Sequence, residues 1–140
     1  MNNHSQAILL LDDDPDFLTI GRSILESGGH RVIHATAVDE AWEYLRTEKP
    51  CLIITDLMMD ALDAGFDFAR RLKADERFRD IPVIILTGIA SRRGYDFTPR
   101  SREDLRSMEA DAYLEKPLTA DVLLGKVAEL MAKREKDETP

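Results

Sequence analysis

The sequence predicts an α/β domain built on an open, doubly wound parallel sheet. Short apolar runs alternate with amphipathic helical patterns five times along the chain, and most of the runs are continuous rather than period-two. Strict βα alternation implies parallel strands joined by right-handed crossovers, with helices on both faces. Length agrees: 140 residues suit one open sheet, whereas a closed eight-stranded barrel needs ~250 residues.

Each element has its own warrant. "AILLLD" (7–12) is apolar throughout, as a strand covered on both faces must be. "PDFLTIGRSILESGG" follows, with Pro15 at a helix start, Phe17, Ile20, Ile24 and Leu25 expected inward, and Gly28-Gly29 as its stop. "HRVIHAT" (30–36) is the second strand, and "AVDEAWEYLRTEK" sets Val38, Ala41, Trp42 and Leu45 at helical spacing. "CLIITD" (51–56) is the third strand, and "GFDFARRLKAD" a helix with Phe66, Ala69 and Leu72 inward. "IPVIILTG" (81–88) is the fourth, with its proline at the start, where a missing N–H is tolerated. "SREDLRSMEA" reads as a short helix opened by Ser101, with Asp104 three residues on in a capping-box variant. "DAYLEKP" (111–117) is the fifth strand, and a final amphipathic helix starts at its N-cap, Thr119. Residues 1–6 and 132–140 read as tails on a domain spanning 7–131.

A net charge of −8 argues against nucleic acid as a direct partner, because phosphate binding needs a basic face. No run approaches the ~18 apolar residues of a membrane span, and the start lacks the pattern of a secretory leader, so a cytoplasmic setting is expected. The lone Cys51 sits against "LIIT" and reads as a small buried hydrophobe. His30 and His34, four apart on a strand, stand roughly 13 Å from each other, too far to share a metal.

Ligands in doubly wound sheets bind outside the carboxyl ends of the strands. There the first strand ends in Asp12, Asp13 and Asp14, the third in Asp56, the fourth in Thr87-Gly88, and the fifth in Lys116-Pro117. Any one of these has an ordinary explanation; aspartates, for instance, cap helices. Together they make the oxygen-rich pattern of a hard cation such as Mg²⁺, with a lysine and a hydroxyl suited to a phosphoryl group.

The pieces "ILLLDDDPDF", "GHRVIHATAVDEAWEYL", "LIITDLMM", "PVIILTG" and "AYLEKPL" resemble the receiver domain of bacterial two-component response regulators, of the stand-alone type. The resemblance implies a flavodoxin-like (βα)5 sheet of strand order 2-1-3-4-5. It implies Mg²⁺ held by Asp12, Asp13, Asp56 and the backbone carbonyl of Met58, with Asp56 as phosphoacceptor. It makes Thr87 and Lys116 the groups that meet the phosphoryl oxygens, and Thr87 with Tyr113 the switch pair. Asp14 is the extra acid, facing outward. The implied partners are a sensor histidine kinase or phosphotransfer protein and a downstream protein target, with no membrane or nucleic acid. The chain would catalyse only its own phosphorylation and dephosphorylation.

Two stretches depart from that family's pattern. In "DLMMDALDAG", Asp60 replaces the usual proline and an extra residue precedes Gly65. Between Thr87 and Lys116 the chain is longer than usual, with Arg92, Arg93, Arg100 and Arg102 beside Tyr95 and Phe97. The segment 90–101 reads either as filler or as a docking segment, since arginine and aromatics are favoured interface anchors. Two other functions compete with the receiver reading. One is a haloacid-dehalogenase-like phosphatase, suggested by Asp12-x-Asp14; Asp16 stands where that family wants Thr or Val. The other is a constitutive adaptor that is never phosphorylated, which the intact acid, threonine and lysine set opposes.

Overall fold

The computed structural model describes residues 7–56, 64–87, 110–115 and 119–138. Among them lie β1 (Ala7–Leu11), α1 (Pro15–Ser27), β2 (Arg31–Ala35), α2 (Val38–Leu45), β3 (Leu52–Asp56), α3 (Ala64–Ala74), β4 (Val83–Thr87), β5 (Ala112–Glu115) and α4 (Ala120–Glu138). The strands form one parallel sheet in the order β2-β1-β3-β4-β5. This is the expected order. Of the helix expected over 101–110, residues 101–109 lie outside the described residues and Ala110 is not helical. Residues 132–138, expected as tail, continue α4.

Burial follows position in the sheet. β1 and β3 are buried along their whole length, because neighbours cover both edges and helices cover both faces. The edge strand β2 is mixed instead, with Arg31 and His34 exposed, Ile33 half-buried, and Val32 and Ala35 buried; His30 lies just before it. Side chains alternate between two apolar layers. Leu9, Leu11, Ile53, Val83 and Ile85 meet Ala41, Leu45, Phe68, Ala69 and Leu72 of α2 and α3. Ile8, Leu10, Ile54, Ile84 and Leu86 meet Leu18, Leu25, Leu123, Val127 and Leu130 of α1 and α4.

α1 presents a different stripe from the expected one. Leu18, Gly21 and Leu25 are buried, Phe17 and Ile24 flank them, and Ile20 is 56% exposed. Gly21 explains the shift: a Cβ there would stand 3.1 Å from Leu10 Cδ2, so the helix lies against β1 at its glycine. The helix ends as expected. Gly28 and His30 donate to the Leu25 carbonyl, and Gly29 takes φ +90°, a conformation open chiefly to glycine.

Trp42 packs edge-on to Phe68 at 5.2 Å and lies 6.1 Å from Phe78, with the Arg71 guanidinium 5.1 Å over its ring. That is the core role expected of it. Cys51 is buried, and both its N–H and its thiol donate to the Ala7 carbonyl, at 2.9 and 3.3 Å. Thr119 caps α4, accepting from Val122 N–H at 3.3 Å. No described helix is long and apolar enough to cross a membrane.

Candidate metal centre

From β1 the chain crosses to β2 on one side and then to β3 on the other, so the strand order reverses between β1 and β3. A crevice opens at the carboxyl ends of such a pair. Asp12 is the first residue past β1 and Asp56 the last of β3, and the register Leu11↔Thr55 sets them side by side. The Asp12 N–H donates to the Ala35 carbonyl at 3.1 Å, extending the contact with β2 one residue beyond the strand.

Geometry separates the three consecutive aspartates. Asp14 is exposed and serves as the N-cap of α1: its backbone is extended, and its carboxylate accepts from Asp16 N–H at 3.0 Å. Asp12 is fully buried, and its Oδ1 accepts from Asp14 N–H at 2.9 Å, which turns the chain into the helix. Asp13, half-buried, lies between them. Asp14 therefore sits where outward-facing capping requires, as expected.

Asp12, Asp13 and Asp56 each place a carboxylate oxygen within 4.8 Å of the other two. Asp12 and Asp56 are buried, at 0% and 5% exposure. Two like charges about 5 Å apart repel by roughly 3 kcal/mol at an effective dielectric near 20, and burial adds a desolvation cost. The donor set fits a small hard cation. Octahedral Mg²⁺ with oxygens at ~2.1 Å holds them roughly 3 to 4.2 Å apart, within reach of small side-chain rotations from the spacing here.

The other expected residues are only partly in view. Thr87 ends β4, in register with Glu115 and one step past the Asp56↔Leu86 pair, and its side chain lies outside the described set. Tyr113 is half-buried on β5, paired with Ile85 and packed on the α2–α3 layer. Met58, Asp60, Asp63, Lys116 and the segment 90–101 lie outside the described residues. One polar residue beside the site carried no signal in the sequence. Thr55, embedded in "LIITD", is fully buried, and its hydroxyl donates to the Asp56 carbonyl at 3.0 Å. A shallow depression of about 620 Å³ lined by Arg71, Ala74, Asp75, Glu76 and Arg77 lies at the other end of α3. It belongs to a different part of the molecule.

Comparison with known proteins agrees with this geometry. Residues 8–128 match the family model described as the response regulator receiver domain. Response regulator Rre1 of Synechocystis sp. is 35% identical over 134 residues, covering 92% of this chain and 53% of the relative. The chain thus spans about half the length of that relative. The signal receiver domain of a signal transduction histidine kinase from Syntrophus aciditrophicus has a TM-score of 0.78 at 30% identity, covering 97% of both chains. The receiver domain of sensor histidine kinase PA1611 from Pseudomonas aeruginosa PAO1, which carries a magnesium ion in its active site cleft, has a TM-score of 0.74. Its identity is 26%, over 91% of this chain and 98% of that one. The fold, the acid crevice at its switch point and the family match lead to one conclusion: this chain belongs to the response regulator receiver domains, the signalling modules of two-component systems.

Proposed function

We propose that Asp56 accepts a phosphoryl group from a phosphohistidine of a sensor histidine kinase or phosphotransfer protein. Asp12, Asp13, Asp56 and the Met58 carbonyl would hold the Mg²⁺ that the transfer requires. The observation that carries this reading is the convergence of three carboxylates from two distant segments at the strand-order reversal.

Bound there, Mg²⁺ would offset the negative charge on the phosphoryl oxygens and the acids around them. An Asp56 carboxylate oxygen attacks phosphorus, and the new O–P bond forms as the donor's P–N bond breaks. The electron pair returns to the imidazole nitrogen, which takes up a proton. Asp12 and Asp13 keep the site anionic enough to retain the cation. Lys116 pairs with the added phosphate, and Thr87 moves toward it, leaving space that Tyr113 fills; a covalent charge thereby biases a two-state element. Water attack on the acyl phosphate restores Asp56 and releases inorganic phosphate, so the chain catalyses only its own phosphorylation and dephosphorylation. Output is contact with a downstream protein, and a cytoplasmic setting suits an ATP-fed donor.

Intact mass after incubation with Mg²⁺ and acetyl phosphate tests the reading. The expected result is a gain of one phosphoryl group that Asp56→Asn abolishes. Equal labelling of that variant would reject Asp56 as the acceptor.

A further inference from the structure

Thr55 occupies a position where an aliphatic side chain would be at home. Its register neighbours are Leu11 on β1 and Ile85 on β4, and strand alternation puts it in their layer, against α2 and α3. It is fully buried, so its hydroxyl needs a hydrogen bond to avoid a desolvation cost. The partner is the carbonyl of the next residue, Asp56, at 3.0 Å.

That bond is unusual for a strand. A ladder carbonyl points along the sheet toward a neighbouring strand, whereas a side chain stands off the sheet's face. A carbonyl that accepts from the hydroxyl beside it is drawn toward that face. The carbonyl in question closes β3. Its direction sets ψ at Asp56, the residue that carries the acceptor carboxylate.

We infer that Thr55 is a positioning residue for the phosphoacceptor: its hydroxyl fixes the Asp56 carbonyl and so the backbone that carries the Asp56 carboxylate beside Asp12 and Asp13. The inference rests on the proposed function, because it assigns Thr55 a task in the reaction of Asp56. It gives a buried hydroxyl in an apolar layer a purpose that packing does not supply.

The test compares the full chain with Thr55→Val, which keeps the branched shape without the hydroxyl, and Thr55→Ser, which keeps the hydroxyl. In metal-free protein, the carbonyl ¹³C shift of Asp56 is expected to move in Thr55→Val and to stay near wild type in Thr55→Ser. Thr55→Val should stay cooperatively folded, with an unfolding temperature at or modestly below wild type, because the Asp56 carbonyl loses one donor. Its phosphorylation by acetyl phosphate at saturating Mg²⁺ should nevertheless slow by roughly tenfold, the scale of a small misplacement of reacting groups. Thr55→Ser should recover the rate despite its smaller volume. A wild-type rate in Thr55→Val overturns the inference. So do equal losses in both variants, because Thr55→Ser keeps the hydroxyl. If wild-type protein takes up no phosphoryl group, the proposed function fails; the Asp56 shift and a Mg²⁺ titration of the variants then decide the role of Thr55.

Discussion

At the carboxyl ends of β1 and β3, Asp12, Asp13 and Asp56 bring like charges within 4.8 Å. At the amino ends of β4 and β5, Lys73 and Asp111 bring opposite charges to 2.8 Å. The Lys73 ammonium donates to Asp111 Oδ2, to the Ile81 carbonyl at 3.0 Å and to the Arg79 carbonyl at 3.2 Å, which uses all three of its protons. The same Asp111 oxygen accepts from Val83 N–H at 2.8 Å. This node is complete within the chain and fastens α3, the following turn and β5 together. The acid crevice has the opposite character, since crowding like charge lowers stability and raises affinity for a cation. One end of the sheet is arranged to hold, and the other to bind.

The largest expected effect separates the acids at the binding end. Asp13→Asn should weaken Mg²⁺ binding by ~100-fold, roughly 2.7 kcal/mol, while Asp14→Asn leaves it unchanged, as calorimetric titration can show. Equal losses would mean that the capping acid is also a ligand. At the holding end, Lys73→Met should cost about 2 kcal/mol in urea unfolding, because it leaves the Asp111 carboxylate without its ammonium; phosphorylation should be unaffected. A loss as small as that of an exposed ion pair would weaken the contrast. Asp56→Asn without Mg²⁺ should go the other way, gaining about 1 kcal/mol by relief of repulsion.

The smallest effect concerns an exposed acid in the first turn of α2. The Glu40 carboxylate accepts from the Thr36 hydroxyl and from its N–H, and these bonds, the hydroxyl's first, hold its pKa below the usual 4.5. A folded-state value below the unfolded one means that the support is present above pH 4.5 and fades as pH falls through the folded pKa. Glu40 is exposed, so solvent screening limits the effect to a few tenths of a kcal/mol. Glu40→Gln should lower stability slightly at about pH 6 and not at about pH 3, as paired urea curves can resolve.

Much of this was legible in the sequence because its signals are local. The strands are unbroken apolar runs, and the crevice acids stand directly at their ends. The α1 stripe was misjudged because its centre is Gly21, a residue that carries no hydrophobic signal yet lets β1 approach. The Lys73–Asp111 node joins residues 38 apart with no periodic pattern between them, so only the folded chain brings it into view. Thr55 was hidden for a different reason. A threonine inside an apolar strand looks like ordinary β-propensity, and its hydrogen bond depends on one backbone dihedral.

The chain has a single cysteine, and in the fold its thiol and N–H both bind the carbonyl that opens β1. The sulfur is buried, so opening of the chain at the amino ends of β1 and β3 exposes it to an alkylating reagent, and the thiolate must then form before it reacts. Modification of Cys51 followed by mass is therefore a clock for opening of the central strand pair, without any introduced label. Run with and without Mg²⁺, it reports whether cation binding at the far ends of the same two strands slows their parting.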